Sequence, residues 1–282
     1  MSLILAPATI TRVRTLHEGE LRGVELTLPV SLRVGAKDEP IEDGMRPGAA
    51  FLAEPFGGQS KKYHKQLYMR SNCSISSQRR LETVWWQTGE IHEGDTIGVR
   101  VDADPKGNFL RVHEHRILDQ SKSLALEPDT WWSEQNFVAV AFSTGITPFL
   151  AHIRYMALFG FGRAFRRFDS GAHYVLIVSV RNPRQLMCHD ELRELEDRFP
   201  DNFRYHPVLT REWPDDWPYT RKRIIKTEDG TGEIDLSPLL NVVPDIGSRH
   251  VRICGGKAPT EQLVRGLREY RIAPRSLKTE VW

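Results

Sequence analysis

The residues richest in chemistry stand directly after apolar runs in the second half of the chain. Phe142-Ser143-Thr144-Gly145-Ile146-Thr147-Pro148 follows the run Phe137 to Ala141. Small hydroxyls and a glycine precede a proline that suits a first helical turn. The free N–H groups of such a helix start favour a phosphate. The same residues also make an ordinary strand-to-helix turn with Ser/Thr caps. Thr210-Arg211 and Tyr219-Thr220-Arg221-Lys222-Arg223 follow the run Phe203 to Leu209. An acidic residue at such a position holds ribose hydroxyls; a hydroxyl and guanidinium groups suit a 2′-phosphate instead. Tyr219 offers a ring to an adenine. The bland alternative is an exposed basic loop beside Asp215 and Asp216.

Two further groups carry chemistry. Cys254-Gly255-Gly256-Lys257 closes the run His250 to Cys254. Its glycines let a ligand approach the backbone. The thiol is small and polarisable, and either faces a reacting ring or only fills the core. The sequence ends in Thr279-Glu280-Val281-Trp282. Such a final indole either stacks on a ligand or plugs a core gap.

These groups need a scaffold that brings strand ends together. The apolar runs Phe137–Ala141, Tyr174–Val180, Phe203–Leu209, His250–Cys254 and Leu277–Trp282 alternate with helix patterns. The helix patterns cover Pro148–Phe161, Cys188–Arg198 and Thr260–Tyr270. Continuous apolar strands between amphipathic helices predict an α/β domain with a parallel sheet covered on both faces. Ligands then bind at the carboxyl ends of the strands. The first half differs. Short alternating runs at Ala8–Val13, Gly23–Leu28, Ala49–Leu52, Leu81–Trp86 and Thr96–Val101 are separated by Gly and Pro. That pattern predicts an antiparallel β-barrel or sandwich. Asp119–Thr130 reads as a linker, which gives domains 1–130 and 131–282.

Composition excludes several classes. A chain of 282 residues with 40% hydrophobic and 27% charged residues is globular rather than disordered. No apolar run approaches the roughly 20 residues of a membrane span. The N-terminus lacks a basic segment and a long apolar core, so no signal peptide is expected and the cytoplasm is the expected location. Cys73, Cys188 and Cys254 form no C-x-x-C pair, which argues against zinc, iron–sulfur and disulfide frameworks. A net charge of +2 is too small to imply nucleic acid. Lys61, Lys62, His64, Lys65, Arg70, Arg79 and Arg80 crowd one segment. It reads as a solvated loop or as a docking face for an acidic partner or an anionic cofactor. The pairs Trp85-Trp86 and Trp131-Trp132 read as packing residues, or one of them as a substitute adenine contact.

Taken in order, Thr-Gly-Ile-x-Pro, Arg181, Asp190-Glu191-Leu192, Thr-Arg, Cys-Gly-Gly and a terminal Glu-Val-aromatic resemble the plant-type ferredoxin–NADP reductase superfamily. The resemblance is strong from Phe137 to Trp282. Before that it rests on Met45-Arg46-Pro47-Gly48 and Glu93-Gly94-Asp95-Thr96. It implies a six-stranded antiparallel barrel for FAD and an α/β domain for NADP(H). It implies hydride exchange between NADPH and the flavin, and single-electron exchange with a small acidic carrier, ferredoxin or flavodoxin. Thr144, Gly145 and Pro148 would face the pyrophosphate of the nicotinamide dinucleotide. Thr210, Arg211, Tyr219, Arg221 and Arg223 would hold the adenosine 2′-phosphate, with Arg181 and Gly255 also in the cofactor set. Ser71, Cys254 and Glu280 would line the transfer site, and Trp282 would shield the flavin face.

The family's flavin motif, Arg-x-Tyr-Ser, is matched by Tyr68-Met69-Arg70-Ser71 with Tyr and Arg exchanged; Ser74 stands just beyond. Its Gly-x-x-Ser motif falls on Glu82-Thr83-Val84-Trp85, which puts a carboxylate where a phosphate is expected. Ser143 replaces a glycine of the Gly-Thr-Gly turn. FAD binding is therefore expected to be rearranged, weakened or replaced by another flavin contact. A second reading stands beside the first, in which a reductase-fold module binds NADP(H) or a partner without redox turnover.

Overall fold

The structure, a computed structural model, describes residues 4–17, 21–56, 66–72, 79–86, 90–104, 106–115, 123–127, 131, 136–165, 171–227 and 233–281. Contacts divide the chain into two compact units. The first takes in the described residues up to 115 together with 125–127 and 150–155, and the second takes in the remainder.

The first unit is built from strands β1 (Ile4–His17), β2 (Leu21–Thr27), β3 (Ser31–Val34), β4 (Lys37–Glu42), β5 (Ala50–Ala53), β6 (Gln66–Met69), β7 (Arg80–Trp86), β8 (Thr96–Ala103), β9 (Leu110–Val112) and β10 (Glu114–His115). Antiparallel pairing runs β8–β1–β2–β7. A bridge from Arg70 to Thr83 carries it from β7 to the end of β6. From there β6 pairs β5, and Ala53 pairs Val99 on β8. Six strands thus close into a ring, which leaves these strands no free edge. Period-two alternation makes the core. Ala6, Ala8 and Ile10 on β1, Val24 and Leu26 on β2, and Ile97, Val99 and Val101 on β8 all point inward. Each large apolar side chain buried this way contributes about 1.5–3 kcal/mol.

The second unit is a parallel sheet of β11 (Asn136–Phe142), β12 (His173–Val180), β13 (Phe203–Leu209), β16 (His250–Gly255) and β17 (Ser276–Val281), ordered β13-β12-β11-β16-β17. A two-stranded ribbon, β14 (Lys226–Thr227) with β15 (Ile234–Asp235), lies between β13 and β16 in sequence. Helices α1 (Thr147–Leu158), α2 (His189–Arg198), α3 (Ser237–Val242) and α4 (Lys257–Glu269) connect the strands. Sheet strands buried on both faces need continuous apolar runs, and Val138 to Ala141 are all fully buried. On α4, Gly266 admits close packing: a Cβ there would lie 2.8 Å from Ile234 Cγ2.

The architecture expected from the sequence, an antiparallel barrel followed by a parallel α/β sheet, is what the structure shows. Several boundaries differ. Helix α1 stops at Leu158 rather than Phe161, because Phe161 and Gly162 take φ of 55° and 96° and cannot continue it. Helix α4 begins at Lys257, before the expected Thr260, since its first turn of Lys, Ala and Pro shows no apolar period. The β3–β4 hairpin is hard to read from sequence because β4 is mostly charged and only Leu32, Val34 and Ile41 turn toward the core.

Candidate functional site

The carboxyl edge of the parallel sheet gathers most of the marked residues. After β11 a tight 3-10 turn, Ser143–Ile146, leads into α1, with Pro148 in its first turn. Ser143 has φ 55°, a seat that favours glycine, which explains why a glycine is usual there. Thr147 Oγ1 donates to the Thr144 carbonyl at 2.7 Å, so this hydroxyl braces the turn. Gly145 has a backbone reason to be glycine: a Cβ would meet the Cys254 carbonyl oxygen at 2.1 Å. Gly255, with φ 145°, would likewise put a Cβ 2.6 Å from Phe142 Cβ. The loops after β11 and β16 therefore interlock through their two glycines.

Cys254 and Glu280 are register partners on β16 and β17. Both are buried. Burial, reinforced by the Glu280 charge, pushes the thiol pKa well up, so Cys254 stays a neutral thiol. Burial also lifts Glu280 to about 7, against the pull of the Leu124 N–H that donates to its carboxylate. Glu280 can thus hold or release a proton near neutrality. Trp282 lies outside the described residues.

The segment after β13 is tied down on several sides. The Thr210 amide donates to Val180 O and the Arg211 amide to Arg181 O, both at 2.9 Å. Leu209 and Arg221 form a parallel bridge. The Arg221 guanidinium donates to Asp215 O at 2.6 Å, so it staples its own loop. Tyr219 is held too. Its phenol oxygen accepts from Arg193, and its ring meets Trp217 at 5.2 Å and His206 at 5.6 Å, both edge to face. Burial drops His206 to about 4, so the imidazole is neutral and pairs with Thr220 Oγ1 at 2.8 Å. Tyr219 and Arg221 are therefore held within their own loop in this structure. Arg181, Arg211 and Arg223 have exposed side chains. A cavity of about 310 Å³ is lined by Phe142, Thr210, Arg223, Pro259 and Gln262, among others. Gln262 and Arg193 were missed from sequence. Gln262 falls inside the expected helix Thr260–Tyr270 and Arg193 inside Cys188–Arg198, so only helical periodicity marks either.

In the first unit the described flavin-motif residues are buried. Tyr68 is a core residue. Its ring stacks on Phe51 at 5.7 Å and Phe56 at 4.2 Å, its oxygen accepts from the Phe56 N–H at 2.9 Å, and burial pushes its pKa up. Arg70 is sealed at the seam of the barrel. It forks onto both Asp43 oxygens at 2.6 Å and donates to Asn72 Oδ1 at 2.8 Å and to Arg80 O at 3.0 Å. The expected partners of a ligand, Tyr68 and Arg70, are thus engaged by the protein itself. Ser71 is fully buried, and its Oγ has no hydrogen-bond partner among the described residues. Glu82 sits within strand β7, and among the described residues no helix stands between β7 and β8. Ser74, Cys73, Lys61, Lys62, His64, Lys65 and Trp132 lie outside the described residues. Arg79 is half-buried with φ 61°, and Arg80 is exposed. No grouping of His, Cys, Asp and Glu suited to a metal occurs among the described residues.

Residues 140–265 match the oxidoreductase NAD-binding domain family. Among solved structures, a cytochrome P450 reductase, GcoB, from Amycolatopsis is 18% identical, with 99% of this chain and 70% of that chain covered and a TM-score of 0.67. The ferredoxin–NADP+ reductase of Plasmodium falciparum is 13% identical, with 99% and 96% covered and a TM-score of 0.64. The FAD/NAD-binding domain of a Vibrio cholerae nitric oxide dioxygenase is 13% identical, with 98% of both chains covered and a TM-score of 0.63. No curated protein sequence matches the chain. The chain has the two-domain fold of the ferredoxin–NADP reductase superfamily. Within residues 140–265 the family match agrees with the resemblance drawn from the motifs.

Proposed function

We propose that the chain is a cytoplasmic, flavin-dependent oxidoreductase that exchanges a hydride with NADP(H) and single electrons with a small acidic carrier such as ferredoxin or flavodoxin. FAD would belong to domain 1–130 and NADP(H) to domain 131–282. The observation that carries this reading is the cavity at the carboxyl edge of the parallel sheet, lined by Thr210 and Arg223. Parallel sheets take nucleotides at that edge. A reductase of the same fold, that of Plasmodium falciparum, has been solved with 2′P-AMP.

The residues fit a 2′-phosphorylated nucleotide. Thr210, Arg211 and Arg223 give a hydroxyl and exposed guanidinium groups for the phosphate, with Arg181 beside them through the Arg211–Arg181 backbone bond. Thr144, Gly145, Pro148 and Gly255 shape the turn that the dinucleotide would cross. Cys254 offers a neutral, polarisable wall, and Glu280 holds a proton that it can release near pH 7. Trp282 would cover the reacting face. Ser71 Oγ, an orphaned buried hydroxyl, fits a polar ligand atom on the barrel, whereas Arg70 and Tyr68 do not. A bound flavin supplies the hydride-accepting ring and the one-electron chemistry.

The sealed Arg70 favours a second reading, a module of this fold that binds NADP(H) or a partner without redox turnover. Colour separates the two. The reductase should purify with an absorbance band near about 450 nm, supplied by the flavin, and bleach it with NADPH. A colourless protein that takes no added flavin yet still binds NADPH would establish the second reading.

A further inference from the structure

On β7 the side chains of Leu81, Thr83 and Trp85 are buried, so the strand period sends Glu82 to the opposite face. There Arg14 Nη2 and Arg154 Nη1 reach the same oxygen, Glu82 Oε1, at 3.0 and 3.1 Å. Arg154 Nη1 also donates to the Ser71 carbonyl at 3.0 Å. The Ser71 amide donates to the Glu82 carbonyl at 2.7 Å, which places the orphaned Ser71 hydroxyl one residue from this cluster. Arg154 counts with the first compact unit, as do Arg14, Ser71 and Glu82.

Two guanidinium groups converge on a single carboxylate oxygen. The cluster is also open to exchange: the side chains of Arg14, Arg154 and Glu82 are 37%, 18% and 17% exposed. Arg70 and Asp43, by contrast, are 0% and 1% exposed. We propose that Arg14 and Arg154 form a phosphate-ester site in which the Glu82 carboxylate is an internal occupant that an incoming phosphate displaces.

Guanidinium forks accept carboxylate and phosphate alike, and phosphate brings more charge and more acceptor oxygens. The exchange therefore keeps both arginines hydrogen-bonded. Glu82 turns toward water, and the incoming phosphate takes over its bonds to both guanidinium groups. The ligand class is the diphosphate of a flavin dinucleotide, an assignment that rests on the reductase reading. The diphosphate contact would then pass from Arg70, which is sealed, to Arg14 and Arg154, which are not. Free pyrophosphate shares the chemistry and separates the site from the flavin.

The test uses the full chain stripped of flavin, titrated with FAD and riboflavin by flavin fluorescence and with inorganic pyrophosphate by calorimetry. Glu82→Gln keeps the shape and removes the competing charge. It should tighten FAD and pyrophosphate by about tenfold or more, the scale of one charge-assisted contact, and leave riboflavin within about twofold. Arg14→Met, on the most exposed partner, should weaken FAD and pyrophosphate by about tenfold without touching riboflavin. Unchanged or weaker pyrophosphate binding in Glu82→Gln overturns the site. So does an equal shift for riboflavin. If pyrophosphate responds as expected but no flavin binds, the phosphate site stands and the flavin part of the reductase reading falls. If flavin binds and the substitutions do nothing, the site falls and the reductase reading stands.

Discussion

Cys254 faces Glu280 across the pairing of β16 and β17, and burial keeps both groups protonated beyond their ordinary ranges. The consequence for stability has a definite sign. Glu280 ordinarily releases its proton near 4.5, but folded it holds it to about 7. Between these values folding takes up a proton, so stability falls as pH rises, and above about 7 this contribution is flat. At about 1.36 kcal/mol per pKa unit the loss is on the order of 3 kcal/mol across the window. Glu280→Gln should remove that slope from urea-unfolding free energies measured between pH 4.5 and 7. A variant with the wild-type slope would show that Glu280 titrates normally.

The same burial makes Cys254 inert. A thiol with no exposure and a raised pKa presents almost no thiolate, the form that reacts. Cys188, half-buried, should alkylate before Cys254 in native protein at pH 8, and Cys254 only on unfolding. Peptide mapping after timed iodoacetamide treatment reads the order. Rapid native labelling of Cys254 would mean that the β16–β17 edge opens.

Cofactor preference should separate Arg211 from Arg221. Arg211 is exposed beside the cavity residue Thr210, whereas Arg221 donates to Asp215 O within its own loop. Arg211→Ala should raise KM for NADPH by roughly tenfold and leave NADH nearly unchanged, since one charge-assisted phosphate contact is worth about 1.5–3 kcal/mol. Arg221→Ala should loosen the loop and weaken both nucleotides alike. A selective NADPH loss in Arg221→Ala would reverse the two assignments.

The second half of the chain was legible because its signals are local. Buried parallel strands need continuous apolar runs, and the residues just after them must be glycines, hydroxyls or caps. Gly145 and Gly255 stood out for that reason, although the need proved to be the mutual approach of two backbones rather than ligand approach alone. The barrel half was harder. Tyr68 and Arg70 share a strand face, as period two requires, but that face points into the barrel. Nothing local shows that Asp43, far away in sequence, waits there to neutralise Arg70. Long-range pairing of charges is set by strand closure, which periodicity does not encode. Residues with no pattern of their own, such as Arg193 and Gln262, became visible only when the loop after β13 and the first turns of α4 were placed.

Arg70 gives the sharpest contrast between a binding residue and a folding residue. Its guanidinium and the Asp43 carboxylate are 0% and 1% exposed and meet through two bonds of 2.6 Å. The backbone of the same residue bridges to Thr83, where β6 meets β7 and the ring closes. Removing one partner leaves an uncompensated buried charge, a loss of about 3–5 kcal/mol. Replacing both with apolar groups removes that penalty, so the pair should couple strongly. Asp43→Leu and Arg70→Met should each lower the urea midpoint, and the double variant Asp43→Leu/Arg70→Met should recover much of the loss. Hydrogen exchange of the strand amides around Arg70 and Thr83 should speed up in the single variants and slow again in the double. A flavin-phosphate ligand would behave differently: Arg70→Met would then cut flavin affinity and leave the urea midpoint unchanged. Additive losses in the double variant would likewise show that the two side chains act independently and that the seam is held by its backbone alone.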